Sequence, residues 1–286
     1  MSEEEISLSD KEFDKIRDRI YQIAGISLGE AKRVLVVSRL TKIVRAKNLK
    51  SFNAYVDFLD KRASRDDKQV FVNALTTNLT RFYREDHHFD HLVKYVGRLV
   101  ANPRYKSSTG KPRLRIWSAG CSTGQEPYTI AMALMQNFPQ LKSWDFKILA
   151  TDVDTDVIAK AAMGIYPAGE LEGLSKPQAA VFEKMPDGNV RIPMNLRNLM
   201  TFKPLNLMLD WPMKGPFDAI FCRNVTIYFD KPTQTKVFER FSELLPEDGY
   251  LYIGHSENMR AAALGFCIDG KTIYRRSMQE NMRASR

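Results

Sequence analysis

Sulfur chemistry is scarce in this sequence. Three cysteines, Cys121, Cys222 and Cys267, are spread over 286 residues, too few and too scattered for a disulfide framework or a structural zinc site. No run of about 18 apolar residues occurs, so no membrane insertion is expected. The opening MSEEEISLSD is acidic and polar, the opposite of a secretory leader, which points to a cytoplasmic protein. Neither GxGxxG nor a Gly-Lys-Ser/Thr phosphate loop is present, which removes the usual dinucleotide and nucleoside triphosphate signatures. His87, His88 and His91 sit in a helical pattern with no acid or cysteine at ligand spacing, so no metal is expected.

What the chain does have is positive charge. Its formal net charge is +9, and residues 31–50, AKRVLVVSRLTKIVRAKNLK, contain Lys32, Arg33, Arg39, Lys42, Arg45, Lys47 and Lys50 with no acid. A solvated helix face is the plain explanation of a charge run. The lack of any counter-charge favours a binding face for nucleic acid, anionic lipid or an acidic protein surface.

The first hundred residues read as helices. Ser9 to Glu12 form a capping box, followed by Phe13, Ile16, Ile20 and Ile23 at helical spacing and a stop at Gly25. A second helix is expected over 30–47, with Val34, Val37, Leu40 and Val44 on its apolar face and the basic residues mostly off it. Shorter helices carry Phe52, Tyr55, Val56 and Leu59, then Val70, Phe71, Ala74 and Leu75. A longer one covers 86–100, and ANPRYKSSTGKPR (101–113) reads as a linker.

Beyond the linker, strand and helix alternate. Strands are expected at 114–119, 146–152, 217–224 and 249–256, with helices at 128–138, 155–163 and 232–245. That alternation predicts a mostly parallel α/β sheet with helices on both faces. Residues 165–203 interrupt it as a small β insertion. The tail 265–276 reads as a hairpin turning at Asp269-Gly270.

In such sheets ligands sit beyond the carboxyl ends of the strands. Three ends should therefore converge: SAGCSTGQE, Asp152, and Arg223-Asn224. The first is a small-residue loop that lets a ligand approach the backbone, and Glu126 at its helix start disfavours a phosphate. Asp152 suits the two hydroxyls of a ribose, or equally a helix cap or turn. Asn78, Thr80 and Arg84 in NALTTNLTRFYRE lie among apolar residues, where polar groups need partners. An adenosine ligand without phosphates follows, and S-adenosylmethionine is the common one.

TTNLTRFYRE, HHF, WSAGCSTGQEPY, ATDVDTDV, GIY, FDAIFCRNVTIYFD and GHSEN follow one another in an order that resembles the CheR-type chemotaxis receptor glutamate O-methyltransferases. The resemblance spans nearly the whole chain, and FCRNVxIYF with TNLTxFxR is highly specific. It implies a Rossmann-like S-adenosylmethionine-dependent methyltransferase domain over 85–286 with a small inserted β subdomain, preceded by an all-α, basic domain over 1–84. It implies methyl transfer to glutamate side chains of chemoreceptors, with S-adenosylhomocysteine as product. Carried over by motif, the cofactor meets Asn78, Thr80, Arg84, Glu126, Asp152, Asn206, Leu207, Arg223 and Asn224, while Arg84 and Tyr228 flank the reacting centre. The basic stripe would face the receptor's helical bundle at membrane-associated arrays. The loop 182–192 is shorter than in members that bind a receptor C-terminal pentapeptide, so no peptide requirement is expected. A nucleic-acid methyltransferase is disfavoured because CRNVTIY lacks the prolines of the base-methylating motif. A cofactor-binding signalling adaptor without activity stays open as the rival of another class.

Overall fold

Ser9 starts the first helix as its spacing predicts: the Glu12 amide donates to Ser9 Oγ at 3.4 Å, and the Ser9 amide donates to Glu12 Oε2 at 3.0 Å. Helix α1 (Asp10–Ala24) then ends at Gly25, which adopts φ 71°, a conformation glycine takes without strain. The computed structural model describes residues 6–277; part of the acidic opening, residues 1–5, lies outside them. Three more helices complete the helical region: α2 (Arg33–Ala46), α3 (Phe52–Lys61) and α4 (Arg65–Leu75). Their core joins Phe13, Ile16 and Ile20 to Leu40, Val44, Phe52, Tyr55 and Phe71.

The apolar face of α2 differs from the sequence expectation. Val36, Leu40 and Val44 are buried, whereas Val34 is 79% exposed. Four consecutive apolar residues at 34–37 fit more than one helical phase, and packing against α4 selects i, i+4, i+8 from Val36. In α4, likewise, Val72 is buried and Val70 exposed.

Helix α5 (His87–Ala101) leads to a short strand β1 (Tyr105–Lys106), which pairs antiparallel with the start of β2 (Pro112–Ala119) inside the expected linker. There follow α6 (Gln125–Asn137), β3 (Asp145–Asp152) and α7 (Thr155–Met163). Next come β4 (Ile165–Pro167), α8 (Lys176–Ala179), β5 (Glu183–Lys184), β6 (Asn189–Arg191) and α9 (Met194–Arg197). The chain ends through β7 (Met200–Pro204), β8 (Ala219–Cys222), α10 (Lys231–Leu244), β9 (Tyr250–Ile253), β10 (Phe266–Gly270) and β11 (Ile273–Arg276).

Strands β4, β6 and β5 form a separate antiparallel sheet, whereas β7 joins the large sheet beside β3. The large sheet runs β10-β11-β9-β8-β2-β3-β7, with β2, β3, β7, β8 and β9 mutually parallel. Parallel strands buried on both faces lose the period-two pattern, and β8 and β9 are indeed buried at every residue. The final hairpin has an irregular register between Ile268 and Gly270. That carries the strand through Gly270 and moves the turn to Lys271-Thr272, past the expected Asp269-Gly270.

Candidate active site at the switch point of the sheet

The first strand of the parallel set, β2, lies between β3 and β8. Chain direction therefore reverses sides at β2, opening a crevice beyond its carboxyl end. Gly120 follows at φ 85°, and a Cβ there would stand 2.2 Å from Val225 Cγ2. The loop can reach the turn after β8 only because that position has no side chain. A cavity of about 1000 Å³, counted out to its mouth, opens at this point. Its walls come from the sheet loops and from residues 75–84 that leave the helical region.

One wall is acidic. Asp152 Oδ2 accepts from the Ser122 amide at 2.8 Å and Oδ1 from the Asp154 amide at 3.0 Å. Burial raises its carboxyl to about 6 against these bonds. Asp154 Oδ2 accepts from Asn78 Nδ2 at 2.7 Å and Thr76 Oγ1 at 2.6 Å, so Asp154 hangs the 76–78 segment on the end of β3. Glu126, in the first turn of α6, accepts from Ser118 Oγ at 2.6 Å and lies 3.3 Å from Arg223 Nη1. Burial pushes its carboxyl up; the Arg223 charge and the Ser118 bond oppose the shift.

Arg84 sits between Tyr83 at φ 53° and Glu85 at φ 55°, two left-handed residues with side chains, which cost strain. The loop is held by its neighbours. Arg223 Nη2 donates to the Arg84 carbonyl and lies 3.7 Å from Glu85 Oε2, and His255 Nδ1 is 2.9 Å from Glu85 Oε1. Burial would raise the Glu85 carboxyl, but these cationic and hydrogen-bonding neighbours outweigh it and hold it low. Arg84 itself donates to the Leu79 carbonyl at 2.9 Å and has no ion pair among the described residues.

Across the cavity, Asn224 takes φ 60° and Tyr228 ends a short 3₁₀ turn, Thr226–Tyr228. Asn206 Nδ2 donates to the Ile23 carbonyl at 2.7 Å, and its Oδ1 accepts from the Met208 amide at 2.9 Å. The Asn206 side chain thus ties the β7 loop to the end of α1. The Ser27 amide donates to the Tyr228 carbonyl at 2.8 Å, a second link of the same kind.

All ten residues singled out in the sequence line this one cavity: Asn78, Thr80, Arg84, Glu126, Asp152, Asn206, Leu207, Arg223, Asn224 and Tyr228. Three determinants escaped sequence reasoning. Asp154 stood in TDVDTD as a turn former, Glu85 in FYRE and Glu257 in GHSEN as motif letters; what each one holds is backbone or side chain distant in sequence. The histidines point to different partners: His87 to the Lys271 carbonyl, His88 to Thr272 and His91 to Tyr252. Among the described residues no His/Cys/Asp/Glu group could hold a metal ion.

Two family models divide the chain between them. "CheR methyltransferase, all-alpha domain" matches residues 11–76, and "CheR methyltransferase, SAM binding domain" matches residues 78–272. The chain belongs to the CheR methyltransferase family. It is 44% identical over 261 residues to a probable chemotaxis protein methyltransferase of Rhizobium etli, covering 90% of this chain and 96% of the relative. Chemotaxis protein methyltransferase 2 of Pseudomonas aeruginosa is 42% identical, with 95% of each chain covered. The Escherichia coli chemotaxis protein methyltransferase is 41% identical over 95% of this chain and 92% of its own. A TehB-like methyltransferase structure from Corynebacterium glutamicum covers 66% of this chain and 96% of its own, at 15% identity and TM-score 0.33.

As a CheR-family protein the chain is an S-adenosylmethionine-dependent methyltransferase, and its residues fit that cofactor. Glu126 and Asp152 line the cavity beside the guanidiniums of Arg81, Arg84 and Arg223, and Arg223 is itself engaged by Glu126 and Glu85. The two lining carboxylates suit a ligand that brings a positive charge and hydroxyls, and the Gly120 approach leaves the strand end open to it.

Proposed function

We propose that this CheR-family enzyme methylates glutamate side-chain carboxylates of chemoreceptors, giving methyl esters for sensory adaptation. The observation that carries the reading is the placement of Arg84 and Tyr228 on the walls of one cavity, in a chain whose relatives in Rhizobium etli, Pseudomonas aeruginosa and Escherichia coli bear chemotaxis methyltransferase names. The bound cofactor supplies a methyl group on a cationic sulfur with a neutral leaving group. A glutamate carboxylate, with a reference pKa of about 4.3, is already an anion at neutral pH, so no general base is needed. The task of the protein is orientation and exclusion of water. Arg84, without a carboxylate of its own, steers the acceptor; Tyr228 orients it. Asp152 takes the cofactor's hydroxyls, and Asn78, Thr80, Glu126, Asn206, Leu207, Arg223 and Asn224 complete the binding walls.

In this reading residues 1–84 face the receptor and lend Asn78, Thr80 and Arg84 to the site, while residues 85–286 form the methyltransferase domain, with the segment 101–113 between α5 and the sheet and a β subdomain at about 165–203. The docking charges are a subset of the 31–50 stripe. Arg33 bonds Asp10, Arg39 bonds the Ala74 and Thr76 carbonyls, and Lys47 bonds Asp67. Lys32, Lys42 and Lys50 carry no such bond among the described residues and are left to meet the acidic bundle. No receptor pentapeptide is required, and the protein works in the cytoplasm at receptor arrays. The test is incubation with radiolabelled S-adenosylmethionine and receptor-containing membranes. Base-labile label is expected; label stable to alkali, or none, overturns the reading.

A further inference from the structure

Glu257 is 6% exposed, and no cation pairs with it among the described residues. Its charge is met entirely by donors. Oε2 accepts from the Asn224 amide at 2.8 Å and from the Gly254 amide. Oε1 accepts from the amides of Val225 at 3.0 Å and Thr226 at 2.6 Å, and from Thr226 Oγ1 at 2.7 Å. One carboxylate therefore clasps the turns that follow β8 and β9. The two come so close that a Cβ on Gly254 would stand 2.5 Å from Asn224 Nδ2. A buried carboxylate without a counter-ion persists only where such donors replace its water.

The clasped residues set the path to Tyr228. The Tyr228 amide donates to the Val225 carbonyl at 3.1 Å and the Phe229 amide to the Thr226 carbonyl at 3.0 Å, so the 3₁₀ turn is registered on two residues that Glu257 holds. Asn224, at φ 60°, is kept left-handed by the same carboxylate. The opposite wall, with Asp152, Ser122 and Asn78, rests on other bonds.

Resting on the proposed methyl transfer, we infer that Glu257 is a positioning residue that acts on the reaction through Tyr228 and not through the acidic wall. Glu257→Gln keeps the shape but turns one acceptor into a donor, so part of the clasp fails. Turnover is expected to fall roughly 30- to 100-fold, the scale of a 1 Å misplacement. The dissociation constant for S-adenosylmethionine should rise clearly less than turnover falls, because of the cofactor walls only the 224–225 turn hangs on the clasp. In a Tyr228→Phe background the same substitution should cost less than about 3-fold more, because both act on one element. Hydrogen exchange of the uncomplexed proteins reads the clasp directly: protection at residues 224–226 and 254 should drop in Glu257→Gln while that of β3 stays. Unchanged exchange, unchanged turnover, full additivity with Tyr228→Phe, or parallel collapse of turnover and cofactor binding each overturns the inference. The exchange arm needs no methyl acceptor. Wild-type protein that labels no receptor sinks the proposed substrate, and the exchange result still decides whether Glu257 holds the turn.

Discussion

Arg223 holds Arg84 by its backbone: one guanidinium nitrogen donates to the Arg84 carbonyl oxygen while another faces Glu126. The charge of Arg223 is thus spent on Glu126 and Glu85, and that of Arg84 is left for the cavity. Lysine cannot reproduce this fork. Arg223→Lys is expected to lower turnover by about 10- to 100-fold, since it releases the strained 83–85 loop. Hydrogen exchange at 83–86 alongside methyl transfer checks it; wild-type rates in both would refute the role.

Direct removal of the two groups proposed to face the acceptor is a separate matter. Arg84→Ala and Tyr228→Phe are each expected to reduce receptor methylation on the order of 100-fold, an effect of transition-state positioning. Tyr228→Phe should leave cofactor affinity within about 3-fold. Labelling kinetics and calorimetry separate the two; retained turnover at unchanged affinity removes both residues from the mechanism.

Burial raises the Asp152 carboxyl to about 6, and this fixes the sign of two pH effects. Hydroxyl donors favour the ionised form, so cofactor binding should tighten as pH rises, by up to about tenfold per unit below 6, and level off above. Stability runs the other way. A raised carboxyl favours the fold when protonated, a contribution fully present below about 3.9 and lost as pH rises through 6. Calorimetric titration from pH 5 to 8 should show the binding slope, and Asp152→Asn should flatten it. A slope that survives in the variant belongs to Glu126 instead.

The basic stripe divides by partner. Lys42→Glu with Lys50→Glu should raise the receptor KM by roughly 3- to 10-fold, more at low salt, with cofactor affinity unchanged. Arg39→Ala should instead lower thermal stability, because Arg39 donates to the Ala74 and Thr76 carbonyls where α4 ends. A salt-independent KM in the lysine variant would count against a receptor-facing role.

The order of elements was legible because buried parallel strands make apolar runs between helices with clear caps. Ser9 announces its capping role by position alone, whereas the position of Asp152 fits a ribose ligand and a turn equally well. Less legible was the phase of α2, since Val34 to Val37 are all apolar and only packing decides between them. The long-range roles of Glu257 and Asp154 could not be read, although Asp154 also makes the helix cap its setting suggests. Beyond local bonds to Gly254 and to the first turn of α7, their partners lie 31 or more positions away, and no local pattern encodes where two strand ends will meet. Asn206 shows the same limit: its motif named it as a cavity residue, but its bond to the Ile23 carbonyl follows from the helical region docking on the sheet.

That bond and the one from Ser27 to the Tyr228 carbonyl bear on protein engineering. A chimera that joins the helical half of one relative to the sheet of another inherits a seam at the mouth of the cavity. Exchanging the helical region of such an enzyme therefore requires moving residues 23–28 together with 206–208 and 225–228. Grafts that stop at the end of α4 would arrive with the donor's seam facing a foreign one.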